Sequence, residues 1–221
     1  MHKRIWRTLT IAVCIAGSIS SAMAAMKISL KDGRTIDLPV HAEDIVSISI
    51  DQSAPQSIGN STNGTTWNFE TGDLQGWQAT GNAFAYQPTY GDNPTARHRG
   101  QPSHHEGNYW IGGYEKRQTP NDPAGAVQGD GPQGTLTSQP FTIRTSSISF
   151  LIGGGCDSNT ERVEILVDGR VVQKATGKCT ETMERVRLNV APHIGRSAQI
   201  RLVDLSSGGW GHINFDDLRF E

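Results

Sequence analysis

The stretch VEILVDGRVVQKA (Val163–Ala175) constrains the fold more than any other part of the chain. Two runs rich in β-branched residues flank Asp168-Gly169, a pair that closes a two-residue hairpin because both residues accept positive φ. Similar short runs recur at Trp67–Glu70, Trp77–Ala79, Ala83–Tyr86, Tyr109–Tyr114, Gly134–Thr137, Ser147–Leu151, Arg162–Val167, Arg170–Ala175, Glu184–Asn189, Ala198–Asp204 and Ile213–Phe220. Turn residues, drawn from 25 glycines, separate them, and no segment keeps a capped helical period. The pattern predicts an all-β domain over residues 67–221, a two-layer sandwich of jelly-roll type.

The first 24 residues read differently. Lys3, Arg4 and Arg7 precede an apolar stretch from Leu9 to Ile19, and Ala22-Met23-Ala24 supplies a cleavage site. That is the pattern of a secretory signal peptide, and the apolar stretch is too short to span a bilayer. Cys14 follows Val13 rather than the small residue a lipoprotein signal requires. The mature chain is therefore expected to be secreted or periplasmic. Residues 1–24 hold three of the 20 Lys and Arg and none of the 22 Asp and Glu, so cleavage leaves 17 against 22. A net charge of −5 with no basic cluster argues against nucleic acid and anionic membrane as partners.

Residues 25–50 carry alternating runs around Asp32-Gly33, with Ile28 and Leu30 answered by Ile36 and Leu38. They predict a small β-hairpin appendage, with DIVSISI as a third short strand. A polar linker, residues 51–66, follows. Only Cys156 and Cys179 remain after cleavage. In an oxidising compartment two such cysteines are expected to pair, and closing that loop stabilises by about 3 kcal/mol.

Six stretches, in order, carry a resemblance: FETGDLQGW (Phe69–Trp77), GNYWIGGYE (Gly107–Glu115), GTLTSQPFTI (Gly134–Ile143), ISFLIGGG (Ile148–Gly155), RVEILVDGRVV (Arg162–Val172) and IRLVDLSSGGWGHINFDDLRF (Ile200–Phe220). Together they resemble the family-66 carbohydrate-binding modules, β-sandwiches attached to levanases and other enzymes of glycoside hydrolase family 32. The resemblance implies a jelly roll, no catalysis, and binding of a polysaccharide, with the terminal fructose of levan as the best-known ligand. It also implies a calcium ion joining first strand to last, held here by Glu70 and Asp216. Asp73 and carbonyls of the Thr71–Leu74 turn would complete its oxygen shell. The bland alternative is that Asp216 accepts backbone N–H groups and Asp217 is exposed.

Sugar recognition needs a flat apolar face and polar groups that bond adjacent hydroxyls. Trp210 and His212 offer the aromatic and a donor; Glu181, Arg185 and Asp204 offer the polar part. The Gly153–Gly155 run is expected to bend tightly and leave room for a ligand beside Asp157. Ala96–Gly107 reads as a long surface loop, its histidines matching no standard zinc spacing and its Arg97 or Arg99 able to reach the binding face. The expected function is non-catalytic carbohydrate binding. The alternatives are a cell-envelope interaction or adhesion domain with a protein partner, and a small glycoside hydrolase. No G-x-S-x-G elbow or cofactor motif is present.

Overall fold

In a computed structural model of the chain, Asp168 and Gly169 both adopt positive φ, 46° and 76°. They join β9 (Glu161–Val167) to β10 (Arg170–Ala175), with Arg170 opposite Val167. The two-residue turn fits because its twist matches that of the strands. The structure describes residues 26–29, 35–38 and 67–221. The chain divides into two units, Met1–Gly59 and Asn60–Glu221.

In the first unit, β1 (Met26–Ser29) and β2 (Thr35–Leu38) form an antiparallel pair with Ile28 opposite Ile36. This is the expected hairpin. Its Asp32-Gly33 turn, the third strand, the signal peptide and the linker lie outside the described residues.

The second unit is a sandwich of two antiparallel sheets. One sheet runs β10-β9-β12-β6-β3, where β12 is Ser197–Asp204, β6 Gly134–Thr137 and β3 Gln78–Gly81; β7 (Phe141–Thr142) also pairs with β12. The other runs β11-β8-β13-β5-β4, with β11 Thr180–Asn189, β8 Ser147–Gly154, β13 Ile213–Phe220, β5 Tyr109–Gly112 and β4 Thr89–Tyr90. Alternation directs Val163, Ile165, Ile200 and Leu202 from the first sheet against Ile111, Phe150, Ile152 and Phe215 from the second, forming one core. The jelly-roll-type sandwich expected from the sequence is thus the fold.

Four strand assignments differ from expectation. Trp67–Glu70 contributes only a bridge from Trp67 to Leu218, because the chain turns at Phe69 to bond Gly72 N–H. Ala83–Tyr86 is a turn whose Ala83 and Phe84 reach into the core. The short strands β4 and β7 carry no alternation long enough to mark them.

A β-bulge corrects the reading of the last strand. Simple alternation places Ile213, Phe215 and Asp217 together, opposite Asn214, Asp216, Leu218 and Phe220. The pairing of β13 with β8 shifts between Asp216 and Arg219, and Asp217 takes φ 46°. The extra residue reverses the phase. Leu218 joins the core with Ile213 and Phe215, and Phe220 packs against it.

The outer face of the second sheet is covered in part. The 91–106 segment, with a single helical turn α1 (Asn93–Ala96), folds over it. Met183 N–H donates to Ser103 O at 2.9 Å, and His105 stacks on Trp110 at 5.8 Å. Trp110, Leu151 and Met183 form a second small core beneath. Covered on both faces, β8 is buried along its whole length, which its near-continuous apolar run reflects.

Candidate functional site

At one end of the sandwich, β8 finishes against the start of β13, with Gly154 opposite Ile213. The residues between β12 and β13, 205–212, form a loop over that end. A Cβ on Gly155 would lie 2.4 Å from Trp210 O and 2.5 Å from Glu161 Cγ; one on Gly154 would lie 2.5 Å from His212 O. The glycines are required: Gly154 makes the expected tight bend at φ 79°, but the expected room beside it is absent. They leave no vacant space for a ligand, because the 210–212 backbone and Glu161 occupy it.

Around this loop, four separated segments bring charges together. His212 Nδ1 lies 2.7 Å from Asp130 Oδ1, and His212 Nε2 lies 3.3 Å from Glu181 Oε2. Arg97 Nη2 reaches Glu181 Oε1 at 2.5 Å and Glu115 Oε1 at 3.0 Å. Arg99 Nε stands 3.6 Å from Glu181. Asn214 donates to Glu181 Oε2 at 3.1 Å, and Asn93 donates to Glu115 Oε2 at 2.5 Å. Three cations thus face three carboxylates. Burial alone would lower the His212 pKa, but bonding to Asp130 and Glu181 raises it to about 9, so it is an imidazolium. Burial opposes ionisation of Glu181, yet His212 and Arg97 bring it down to about 2. Burial pushes Glu115 up against the pull of Arg97.

Aromatic rings line the same network. The Arg97 guanidinium lies 4.6 Å from the Tyr114 ring, and that ring is 5.3 Å from His212. Arg99 sits 5.1 Å from the Trp210 ring, which is 5.6 Å from His212. Glu181 and His212 are both buried at 2% exposure. Solvent meets Trp210, which is half-buried, Asp130, and the 41%-exposed Arg99 side chain. The surface offered is an indole with a guanidinium over its ring and, across His212, a partly exposed carboxylate.

The candidates named from the sequence do not all gather here. Glu181, Trp210 and His212 do. Arg185 lies farther along β11, bonded to Asp217 O at 3.1 Å and paired with the Asp217 carboxylate. It lines a separate pocket with Thr176, Lys178, Thr182 and Glu184. The irregular pairing of β11 with β8 between Thr180 and Glu184 separates the two. Asp217 is buried rather than exposed, held by Arg185 and by Arg219 at 2.5 Å. Asp157 stays in its own turn, accepting Asn159 N–H at 2.9 Å. Asp204 points to the core side of β12 and faces Glu161, its direct partner on β9. Sequence reasoning missed Glu161, although its alternation with Val163 and Ile165 marks it as inward. Tyr114, Glu115 and Asp130 were also missed; Arg97 and Arg99, the two loop cations singled out as able to reach the binding face, both stand at Glu181.

Cys156 and Cys179 form a disulfide with Cα atoms 5.0 Å apart, tying the end of β8 to the start of β11. Glu70 and Asp216 both face the 106–109 backbone. Glu70 accepts the N–H groups of Asn108 and Tyr109 at 2.8 Å, and Asp216 those of Glu106 at 2.8 Å and Asp217 at 2.7 Å. Burial, with the charges of Asp217 and Glu70, lifts the Asp216 carboxyl to about 8. Asp73 instead accepts from Thr71 and Gln75 within its exposed turn. Among the described residues, no three or more His, Cys, Asp or Glu side chains cluster as metal ligands.

No family model matches the chain. One relative is ecdE of Aspergillus rugulosus, provisionally named a glycosyl hydrolase; it is 33% identical over 146 residues, 66% of this chain. The chain spans about a fifth of that relative, 19% of its length. A family-61 carbohydrate-binding module, TmCBM61, solved with β-1,4-galactotriose, is 18% identical over 70% of this chain and 93% of its own, with a TM-score of 0.41. The K1 cleaved adhesin domain of Lys-gingipain from Porphyromonas gingivalis W83 is 10% identical over 72% and 98%, with a TM-score of 0.42. The site itself, rather than these likenesses, carries the functional reading.

Proposed function

We propose that the chain is an exported, non-catalytic carbohydrate-binding protein whose ligand meets the Trp210 end of the sandwich. The observation that supports this most is the half-buried Trp210 ring, with the Arg99 guanidinium 5.1 Å over it and the Asp130 carboxylate joined to it through His212. A sugar ring stacks its apolar face on an indole, while a guanidinium and a carboxylate bond adjacent hydroxyls. The buried Glu181–His212–Arg97 network beneath fixes these groups in place. The carboxylates of that network are neutralised by cations, which suits binding better than proton transfer. Fructan is the polysaccharide we favour, on the sequence resemblance.

We also assign Glu70 and Asp216 as the holders of a structural calcium ion. Two acids face one backbone segment, and neither has a cationic side chain in contact among the described residues. Asp216 accepts one N–H on each oxygen and so retains lone pairs for a cation. Asp73 is left out of this assignment. The ion would neutralise the pair and tie the first turn to the last strand.

A glycan array probed with the full mature chain, with and without a chelator, tests both assignments. Binding to fructans that weakens in chelator is the expected result. No binding to any glycan overturns the carbohydrate reading, and release of reducing sugar from a bound polysaccharide overturns the non-catalytic one.

A further inference from the structure

Glu161 and Asp204 form a pair that the site description leaves unexplained. They are direct cross-strand partners on β9 and β12, on the core side, and each is 1% exposed. Like charges placed opposite one another in a sheet repel, and buried ones do so strongly. Among the described residues, neither carboxyl has an arginine or lysine in ion-pair contact, and Glu161 Oε2 and Asp204 Oδ1 have no hydrogen-bond partner. One proton between them answers both facts. It leaves a single negative charge and turns one orphaned oxygen into a donor to the other.

The pair stands at the root of the Trp210 loop. Glu161 Oε1 accepts the N–H groups of Leu205 at 3.3 Å and Ser206 at 3.1 Å, the first two residues of that loop. Gly155 leaves no space for a Cβ between Glu161 Cγ and Trp210 O, so a shift of the Glu161 side chain is transmitted to the Trp210 backbone. The Glu161 main chain is held on its other side, where its carbonyl accepts from Thr176 Oγ1 at 2.6 Å.

We propose that Glu161 and Asp204 share one proton, and that this proton positions the Trp210 loop for ligand binding and makes that binding alkali-labile. The inference rests on the reading of the Trp210 end as the ligand site. Burial is the largest influence on both carboxyls and raises both; the charge of Glu161 raises Asp204 further, while the hydrogen bond from Asp204 draws Glu161 down. Among the described residues, the titratable cation facing the pair is His212, whose Nδ1 bonds Asp130 and whose Nε2 stands 3.3 Å from Glu181 in an ion pair without a hydrogen bond. Also against the pair are Gly155 just after β8, Gly134 of β6 and the Leu205 and Ser206 N–H donors of the loop, all uncharged.

The test needs no sugar. Amide resonances of Leu205, Ser206 and Trp210 are followed by NMR across pH, in the full mature chain, with and without EDTA. The expected result is one shared titration in the neutral-to-alkaline range, far above the ordinary carboxylate value of about 4. Asp204→Asn, whose amide donates permanently to Glu161, abolishes it; Glu161→Gln serves if that variant misfolds. Where a bound glycan is in hand, its affinity falls about tenfold one pH unit above the midpoint, since about one molecule in eleven then keeps the loop in place. Flat resonances, a titration that survives in both variants, or one that appears only after EDTA overturns the proposal. The last result would mean that a cation, rather than a proton, joins the carboxyls. A chain that titrates as described yet binds no glycan refutes the carbohydrate reading and leaves the proton pair standing.

Discussion

Replacing Arg97 with methionine removes the cation shared by Glu115 and Glu181 while keeping much of the side chain that packs on Tyr114. Glu115 is fully buried and Glu181 nearly so. Removing one partner of a buried ion pair costs about 3–5 kcal/mol, because the other charge stays buried and unpaired. Glu181 keeps Arg99 and His212, so the loss falls mainly on Glu115, which retains only the Asn93 amide. A carboxyl escapes such a penalty by taking up a proton. From an ordinary pKa of about 4.3, protonation costs about 4 kcal/mol at pH 7 and about 1 kcal/mol at pH 5. These values are ceilings on the damage, so the variant should lose about 3–4 kcal/mol at pH 7 and about 1 kcal/mol at pH 5. Urea unfolding followed by tryptophan fluorescence reads this directly, since every tryptophan except Trp6 lies between Trp67 and Trp210, within the sandwich. An equal loss at the two pH values, or a loss under about 1 kcal/mol at pH 7, would refute the assignment of Arg97 as the cation that keeps Glu115 ionised.

Gly155→Ala forces a methyl group against Trp210 O and Glu161, and should cost about 1–3 kcal/mol, with altered Trp210 emission in the folded protein. Replacing Cys156 and Cys179 with serine removes a link across 23 positions and should lower stability by about 3 kcal/mol, measured in urea against the oxidised parent. For His212 the folded pKa of about 9 exceeds its ordinary value, so its contribution is complete below about pH 6.5 and is lost as pH rises through about 9. Thermal unfolding should show that alkaline loss in the parent and a flatter profile in His212→Gln.

The β9–β10 hairpin was legible because its signal is local: two strands and the turn residues between them. The disulfide was legible from compartment and count. The bulge at Asp217 was not, because it arises where β13 meets β8 and the Trp67 bridge, contacts that no window of sequence contains. Glycines 153–155 were correctly singled out and half explained: Gly154 bends tightly as expected, but the residues that fill the space beside the run are 50 or more positions away or approach from another strand. Glu181 and His212 stood out by residue type and neighbourhood. Their partners Arg97, Glu115 and Asp130 come from three other segments, and no spacing rule connects them. Arg185 shows the converse: four residues from Glu181 in sequence, it joins a different set of partners because the pairing of β11 is irregular between them.

Calorimetric titration of a glycan captured by the protein, run on the parent, Trp210→Ala and Arg185→Ala, addresses the main functional assignment most directly. Binding should vanish in the tryptophan variant and persist at parental strength in the arginine variant, both remaining folded. Undiminished binding without the indole, or its loss with Arg185 alone, would place the ligand elsewhere on the sandwich and contradict the account.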